Sequence, residues 1–273
     1  FVFAVAITVI MWAGQCITLF GVRELKGVFK TESKTTLKEM FKVIFQNDQL
    51  LYTTISMALF MIGYVTTTSF GIYYFKYAYG DENMYSTFAL ILGVTQITAL
   101  AVFPVFSRYF DRRKLYTGAT VLVIAGYILF FVSPMNMVFI GIAGVTVFLG
   151  EAFIQILMLM FLADTIEYGQ WKLGKRNDSV TLSLQPFINK IGGAIASGIV
   201  GVTVIISGIS SAASKEDVTE RGLYILKMSM FVLPLLLIVA GYLIYRQKYR
   251  IDDKMFRQIV SDLKARGDIS LEE

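Results

Sequence analysis

The sequence predicts an all-α membrane protein with seven spans, and three observations carry that reading. The composition is 56% hydrophobic and only 16% charged, against about 45–50% and about 25% in soluble domains. Six stretches contain no Asp, Glu, Lys or Arg: 1–22, 49–75, 84–107, 115–150, 191–214 and 228–245. Each reaches the ~18–20 residues that a helix needs to cross a hydrocarbon core. Finally, 20 of the 25 Lys and Arg residues fall in alternate connections. Helices are the expected spanning form because they satisfy their backbone hydrogen bonds internally, where no water can.

The first span is 1–22, and the chain reads as beginning inside it, with no charged leader or cleavage site. Segment 23–49 follows as a basic loop carrying a short amphipathic helix at the membrane surface. Leu37, Met40, Phe41 and Ile44 recur at i, i+3, i+4 and i+7, Lys34, Lys38 and Lys42 take another face, and Thr36 and Glu39 have capping-box spacing. Spans near 50–78 and 84–107 come next. Tyr73, Tyr74, Phe75, Tyr77 and Tyr79 end the first of them, where an interfacial aromatic belt is expected.

The uncharged run 115–150 is too long for one crossing and folds back at Ser133-Pro134-Met135-Asn136, because Pro134 lacks an N–H and its polar neighbours bond locally. It therefore splits into spans 115–133 and 137–164. Spans 179–210 and 223–245 complete a six-helix bundle over 50–246, followed by a charged tail, 247–273, of which 262–273 reads as mobile.

The four Lys/Arg-rich segments lie on one side, which the positive-inside rule makes cytoplasmic in a cell membrane. The net charge of +5 then reflects attraction to anionic lipid and not to nucleic acid. One cysteine, Cys16, and no histidine exclude disulfide scaffolds, Cys clusters and His-based catalysis. No nucleophile and base arrangement or phosphate loop suggests an enzyme, and no cofactor is expected.

An ionisable group at bilayer depth is costly and marks function by default. Lys190 stands 11 residues into its span and Glu151 is 13 residues from Asp164, so both fall near the midplane, where a Lys190–Glu151 pair would lessen the burial cost of each. Gln155 shares a helix face with Glu151, and Asn189 shares one with Gln185. Amides that both donate and accept suit a ligand rich in hydroxyls. Gly193, Ser197 and Gly201, spaced four apart, form a small-residue seam on the Lys190 span that would admit a neighbouring helix.

The stretch from Leu162 onward contains Ala163, Asp164, Glu167, Tyr168, Gly169, Gln170, Trp171 and Lys172, then Gln185, Lys190, Gly192 and Gly193. This pattern resembles the glycoside-pentoside-hexuronide:cation symporter family. The Arg108 to Lys114 loop, with Asp111 and Arg112, resembles the acidic-basic loop of the major facilitator superfamily. The resemblance implies the second half of a twelve-helix sugar symporter: the last helix of an N-terminal half, then the C-terminal six-helix bundle. By the same resemblance Lys190, with Gln185 beside it, lies near the cation and sugar sites, and Gln155 replaces a family sugar-site Trp. Asp164 and Glu167 are implied to pair with basic residues of the other half, closing the cytoplasmic side with Tyr168, Asp111 and Arg112. The implied partners are the bilayer, the other six-helix half, a small sugar and a coupling cation, Na⁺ or H⁺. A symporter for an amphiphile such as a lysolipid, and a non-transporting sensor or partner subunit, are the alternatives.

Overall fold

A computed structural model describes residues 2–21 and 37–268. The chain divides into two compact units, Phe1–Glu39 and Met40–Glu273. The first contains α1 (Val2–Gly21), apolar along its whole length.

The second unit holds the bundle. The short α2 (Leu37–Gln46) forms where periodicity placed it; it buries Ile44 and leaves Phe41 and Phe45 exposed. Lys34 and Thr36 lie outside the described residues. The spans are α3 (Asp48–Tyr73), α4 (Met84–Tyr109), α5 (Arg112–Val132), α6 (Met137–Leu173) and α7 (Asp178–Ile206), then α8 (Glu220–Lys227) running through a π-helical turn into α9 (Leu233–Lys248). With α1 that makes seven helices among the described residues long and apolar enough to cross a membrane, the number expected. A final helix, α10 (Asp253–Ala265), follows.

Local chemistry sets the ends. Asn47 caps α3, its side chain accepting the Leu50 N–H at 3.0 Å, and Asn136 caps α6 by accepting that of Val138 at 2.8 Å. The fold-back at 133–136 stands as the turn residues require. Two departures concern helix length. α6 runs nine residues past 164, because nothing between Asp164 and Leu173 breaks a helix; it stops at Gly174, whose φ of 68° suits a left-handed cap. The last span contains the π-turn Met228–Val232 just before Pro234. Proline has no N–H to give the carbonyl four residues back, and that carbonyl, on Met230, lies 3.3 Å from the Thr67 hydroxyl oxygen.

Backbones approach closely at two seams. A Cβ on Gly150 would lie 2.8 Å from the Ala119 carbonyl oxygen, so α5 and α6 pack glycine to backbone. Between α3 and α9, the Ser56 hydroxyl donates to the Gly241 carbonyl at 2.7 Å, and a Cβ on Gly241 would meet the Ser56 backbone carbonyl oxygen at 2.9 Å. Small residues at such crossings are how membrane helices gain contact without a hydrophobic driving force.

Aromatic side chains fill the two ends. Tyr116, Phe161, Tyr242, Tyr245 and Tyr249 stack at the Lys/Arg-rich end, with centroids as close as 4.5 Å for Phe161 and Tyr245. At the other end Tyr74 meets Phe130 and Phe231, and Phe75 meets Phe88. This corrects the belt expectation: Tyr74, Phe75 and Tyr77 are buried core, because a π-turn over Tyr74–Tyr79 rotates them inward.

The expected mobile tail is also corrected through residue 268. Ile259 and Leu263 of α10 are buried, the Trp171 indole donates to Asp262 at 2.9 Å, and Arg266 donates to the Trp171 carbonyl at 3.1 Å. Charged residues dominate this segment, yet its apolar positions recur at helical spacing and dock on α6.

Candidate functional site

Halfway along α6, Glu151 is buried. Its partner comes from α5: the Tyr127 hydroxyl donates to Oε1 at 3.1 Å and is itself hydrogen-bonded to the Thr67 hydroxyl of α3. Oε2 has no partner. Three helices thus meet on one carboxylate at mid-bundle. A cavity of about 30 Å³ touches Thr67, Thr68 and Tyr127 beside it, large enough for a water.

The expected Lys190–Glu151 pair does not form: no ion pair or hydrogen bond joins them among the described residues. Lys190 is exposed on α7 and has no partner of its own there, whereas Glu151 points into the packing of α3, α5 and α6. Sequence depth placed both at one level; rotation about the helix axes separates them. Gln155, Gln185 and Asn189 are half-buried. The Asn189 Oδ1, like Gln96 Nε2 on α4, is buried without a hydrogen-bond partner. Pro186 leaves α7 continuous, so Gln185 and Asn189 keep one face and Lys190 turns onto another.

The seam on α7 is open. A Cβ on Gly193 or Gly201 would meet nothing within 4 Å, while one on Gly192 would lie 3.2 Å from Met61 Cβ. Gly192, against α3, and Ala196 are buried, while Gly193 is half-buried with open space around it and Ser197 and Gly201 are exposed.

At the Lys/Arg-rich end two of the predicted gating residues, Arg112 and Asp164, come together, and the others find separate partners inside this bundle. One guanidinium nitrogen of Arg112 lies 2.8 and 2.6 Å from the two Asp164 oxygens, and the Tyr249 hydroxyl reaches Oδ2 at 3.3 Å. Glu167 pairs with Arg176 at 3.4 Å. Asp164 and Glu167 thus have partners within this bundle: because α6 continues as helix, these carboxylates face the start of α5 and the turn before α7. Tyr168 donates to Asp48 at 2.9 Å, and Lys172 approaches the same oxygen at 2.6 Å. Asp111 stays exposed, paired with Lys114 at 2.9 Å. Beyond the span, burial first, and the nearby Asp164 carboxylate second, hold the Tyr249 phenol well above its ordinary range, so it stays a donor.

Sequence reasoning missed Tyr127, Asp48, Tyr249 and Asp262. Tyr127 carried a readable signal, since a tyrosine in an otherwise apolar span needs a hydroxyl partner. The others sit among many charged neighbours at helix ends, where no spacing singles them out.

Against this geometry the comparisons are specific. A profile of proteins described as MFS/sugar transport protein matches residues 1–253. The raffinose carrier protein of Pediococcus pentosaceus is 30% identical over 266 residues, 97% of this chain and 42% of that protein. The lactose permease of Lactobacillus helveticus is 29% identical over 268 residues, covering 97% and 42%. A putative sulfoquinovose importer of Escherichia coli K12 is 26% identical over 237 residues, covering 86% and 50%. The chain spans less than half the length of the first two relatives. With seven helices among the described residues long and apolar enough to cross a membrane, in the expected order, and a match over nearly its whole length, the chain belongs to the MFS/sugar transport protein family, as its resemblance to the glycoside-pentoside-hexuronide:cation symporters implies.

Proposed function

We propose that the chain is the C-terminal portion of a cation-coupled sugar symporter that works by alternating access in a cell membrane, its Lys/Arg-rich end and C-terminus cytoplasmic. The observation that carries the reading is Lys190: an ammonium halfway along α7, exposed and unpaired among the described residues. An unpaired cation at bilayer depth is stable only where it faces protein or water. In a transporter of two facing bundles the position that meets both conditions is the midplane cavity between them. Gln155, Gln185 and Asn189 supply amides suited to sugar hydroxyls, and relatives named for raffinose and lactose support that substrate class.

Coupling follows from population shift. If cation and sugar both favour one state of the two-bundle protein, each raises the other's apparent affinity. In this reading Lys190 stands at the boundary between the sites, Glu151 braces the bundle through Tyr127, and the coupling ion is Na⁺ or H⁺. Arg112–Asp164, with Glu167, Tyr168 and Asp111 around it, fixes the cytoplasmic rim against which the other half closes. No cofactor or catalytic step enters.

The test uses the full-length protein in vesicles. Lys190→Ala is expected to abolish cation-driven accumulation of a radiolabelled oligosaccharide while insertion and thermal stability hold. Undiminished accumulation by Lys190→Ala would overturn the site. No accumulation of any sugar by the parent protein would overturn the function and favour a sensor or subunit.

A further inference from the structure

At the Lys/Arg-rich end a cavity of about 450 Å³ opens between the first turns of α5 and the last turn of α9. Arg113, Lys114 and Thr117 form one wall; Tyr242, Arg246 and Tyr249 form the other. Three cations face it and no carboxylate lines it. Among the described residues neither Arg113 nor Arg246 makes an ion pair. Arg113 donates to the Tyr249 carbonyl at 3.2 Å and Arg246 to the Tyr242 hydroxyl at 3.3 Å. Both guanidiniums are therefore oriented by neutral acceptors, and although Arg113 and Lys114 also border a neighbouring cavity with Asp111, Asp164, Asp252 and Asp253, neither arginine is ion-paired among the described residues. Lys114 pairs with Asp111, but both are exposed, and such a pair is weak.

The depth of this cluster is set by the chain itself. The charge-free stretch of α5 begins at Leu115 and that of α9 ends at Tyr245, so Arg113, Lys114 and Arg246 stand at the boundary between hydrocarbon and headgroups. Lys114 also borders a second cavity of about 510 Å³ that runs along α4, α5 and α6, with Val102, Phe106, Leu115, Gly118, Leu122 and Phe153 among its walls. One basic side chain thus joins a polar, cationic cavity to an apolar groove.

We propose that this is a binding site for an anionic phospholipid of the adjoining leaflet, its phosphate held by Arg113, Lys114 and Arg246 and one acyl chain lying in the α4–α5–α6 groove. Basic pockets between membrane helices recognise such headgroups, and guanidinium forks match phosphate oxygens. Free phosphate shares the headgroup chemistry, but an apolar groove sharing Lys114 has no use for it.

Native mass spectrometry of the full-length protein, in detergent with equimolar phosphatidylglycerol and phosphatidylcholine, tests the site. The parent is expected to retain phosphatidylglycerol preferentially, with retention falling about fivefold for each cation removed as Arg113→Gln, Lys114→Gln and Arg246→Gln are combined. The charge-matched variant Lys42→Gln, Lys175→Gln, Lys254→Gln is expected to keep the preference. Gly118→Leu extends an apolar side chain at the groove without touching charge, from a Cβ position with nothing within 4 Å, and is expected to fold and to lower retention as well. Equal loss in both charge-matched triples would reduce the effect to bulk electrostatics and overturn the site. Millimolar inorganic phosphate displacing the lipid, with Gly118→Leu behaving like the parent, would overturn the lipid reading. Retention unchanged in every variant would overturn both.

Discussion

Arg112 and Asp164 tie the first turn of α5 to the extended end of α6, with both carboxylate oxygens within 2.8 Å of one guanidinium nitrogen. The Tyr249 hydroxyl joins from beyond α9, so three elements of one bundle converge on a single carboxylate. Its surroundings make it a brace for the rim before it can serve as a contact with anything outside.

Asp164→Asn in the full-length protein is expected to cost about 2 kcal/mol of thermal stability, below the 3–5 kcal/mol of a wholly buried pair, because the Arg112 side chain is 34% exposed. Glu167→Gln, at an exposed partner, is expected to cost less than about 1 kcal/mol. A double-mutant cycle of Asp164→Asn with Arg112→Gln measures the coupling directly, and additive effects would sink this account.

Tyr127→Phe strips Glu151 of its donor and is expected to destabilise the protein by about 1–3 kcal/mol, the usual cost of an unsatisfied buried group. Lys190→Ala, which breaks no contact here, is expected to change stability by less than about 0.5 kcal/mol. Thermal unfolding of the two variants side by side decides the matter. Should Lys190→Ala prove the more damaging, Glu151 pairs with it after all.

Two glycines separate packing from an open face. Gly150→Ala drives a Cβ to 2.7 Å from Val123 and 2.8 Å from the Ala119 oxygen, and the expected loss is about 1–3 kcal/mol. Gly193→Ala meets open space and is expected to be neutral or slightly stabilising, since alanine is the better helix former. Equal melting temperatures for the two variants would contradict the register of α7.

Docking of α10 rests on the Trp171–Asp262 hydrogen bond and on buried Ile259 and Leu263. Asp262→Ala is expected to speed amide hydrogen exchange across Asp253–Ala265 while the spanning helices keep their protection. Rapid exchange there in the unmodified protein would show that the helix is not docked.

Hydropathy and charge made the spans legible, because desolvation acts on whole segments: the seven crossings and the turn at Pro134 both read directly, whereas the caps at Asn47 and Asn136 did not. Which faces meet did not. Lys190 and Glu151 share a depth, and sequence depth has no angular coordinate between helices, so the carboxylate's true partner, Tyr127, went unnoticed. The aromatic run at Tyr74–Tyr79 misled for a related reason, since a π-turn changes the facing of every residue in it. The docking of α10 was hidden by composition, its few apolar positions being outnumbered by charges.

α6 is 37 residues long without a proline, about 55 Å of continuous rod against a hydrocarbon core of about 30 Å. Glu151 sits inside it and Trp171 stands 20 residues further on, about 30 Å away. Such a rod is a lever: pivoting by about 6° at the level of Glu151 sweeps Trp171, and the α10 helix fastened to it, through about 3 Å. Any tilt of α6 about the level of its buried carboxylate would therefore reach Trp171 and α10 geometrically, with no chain of intermediary side chains required to relay it.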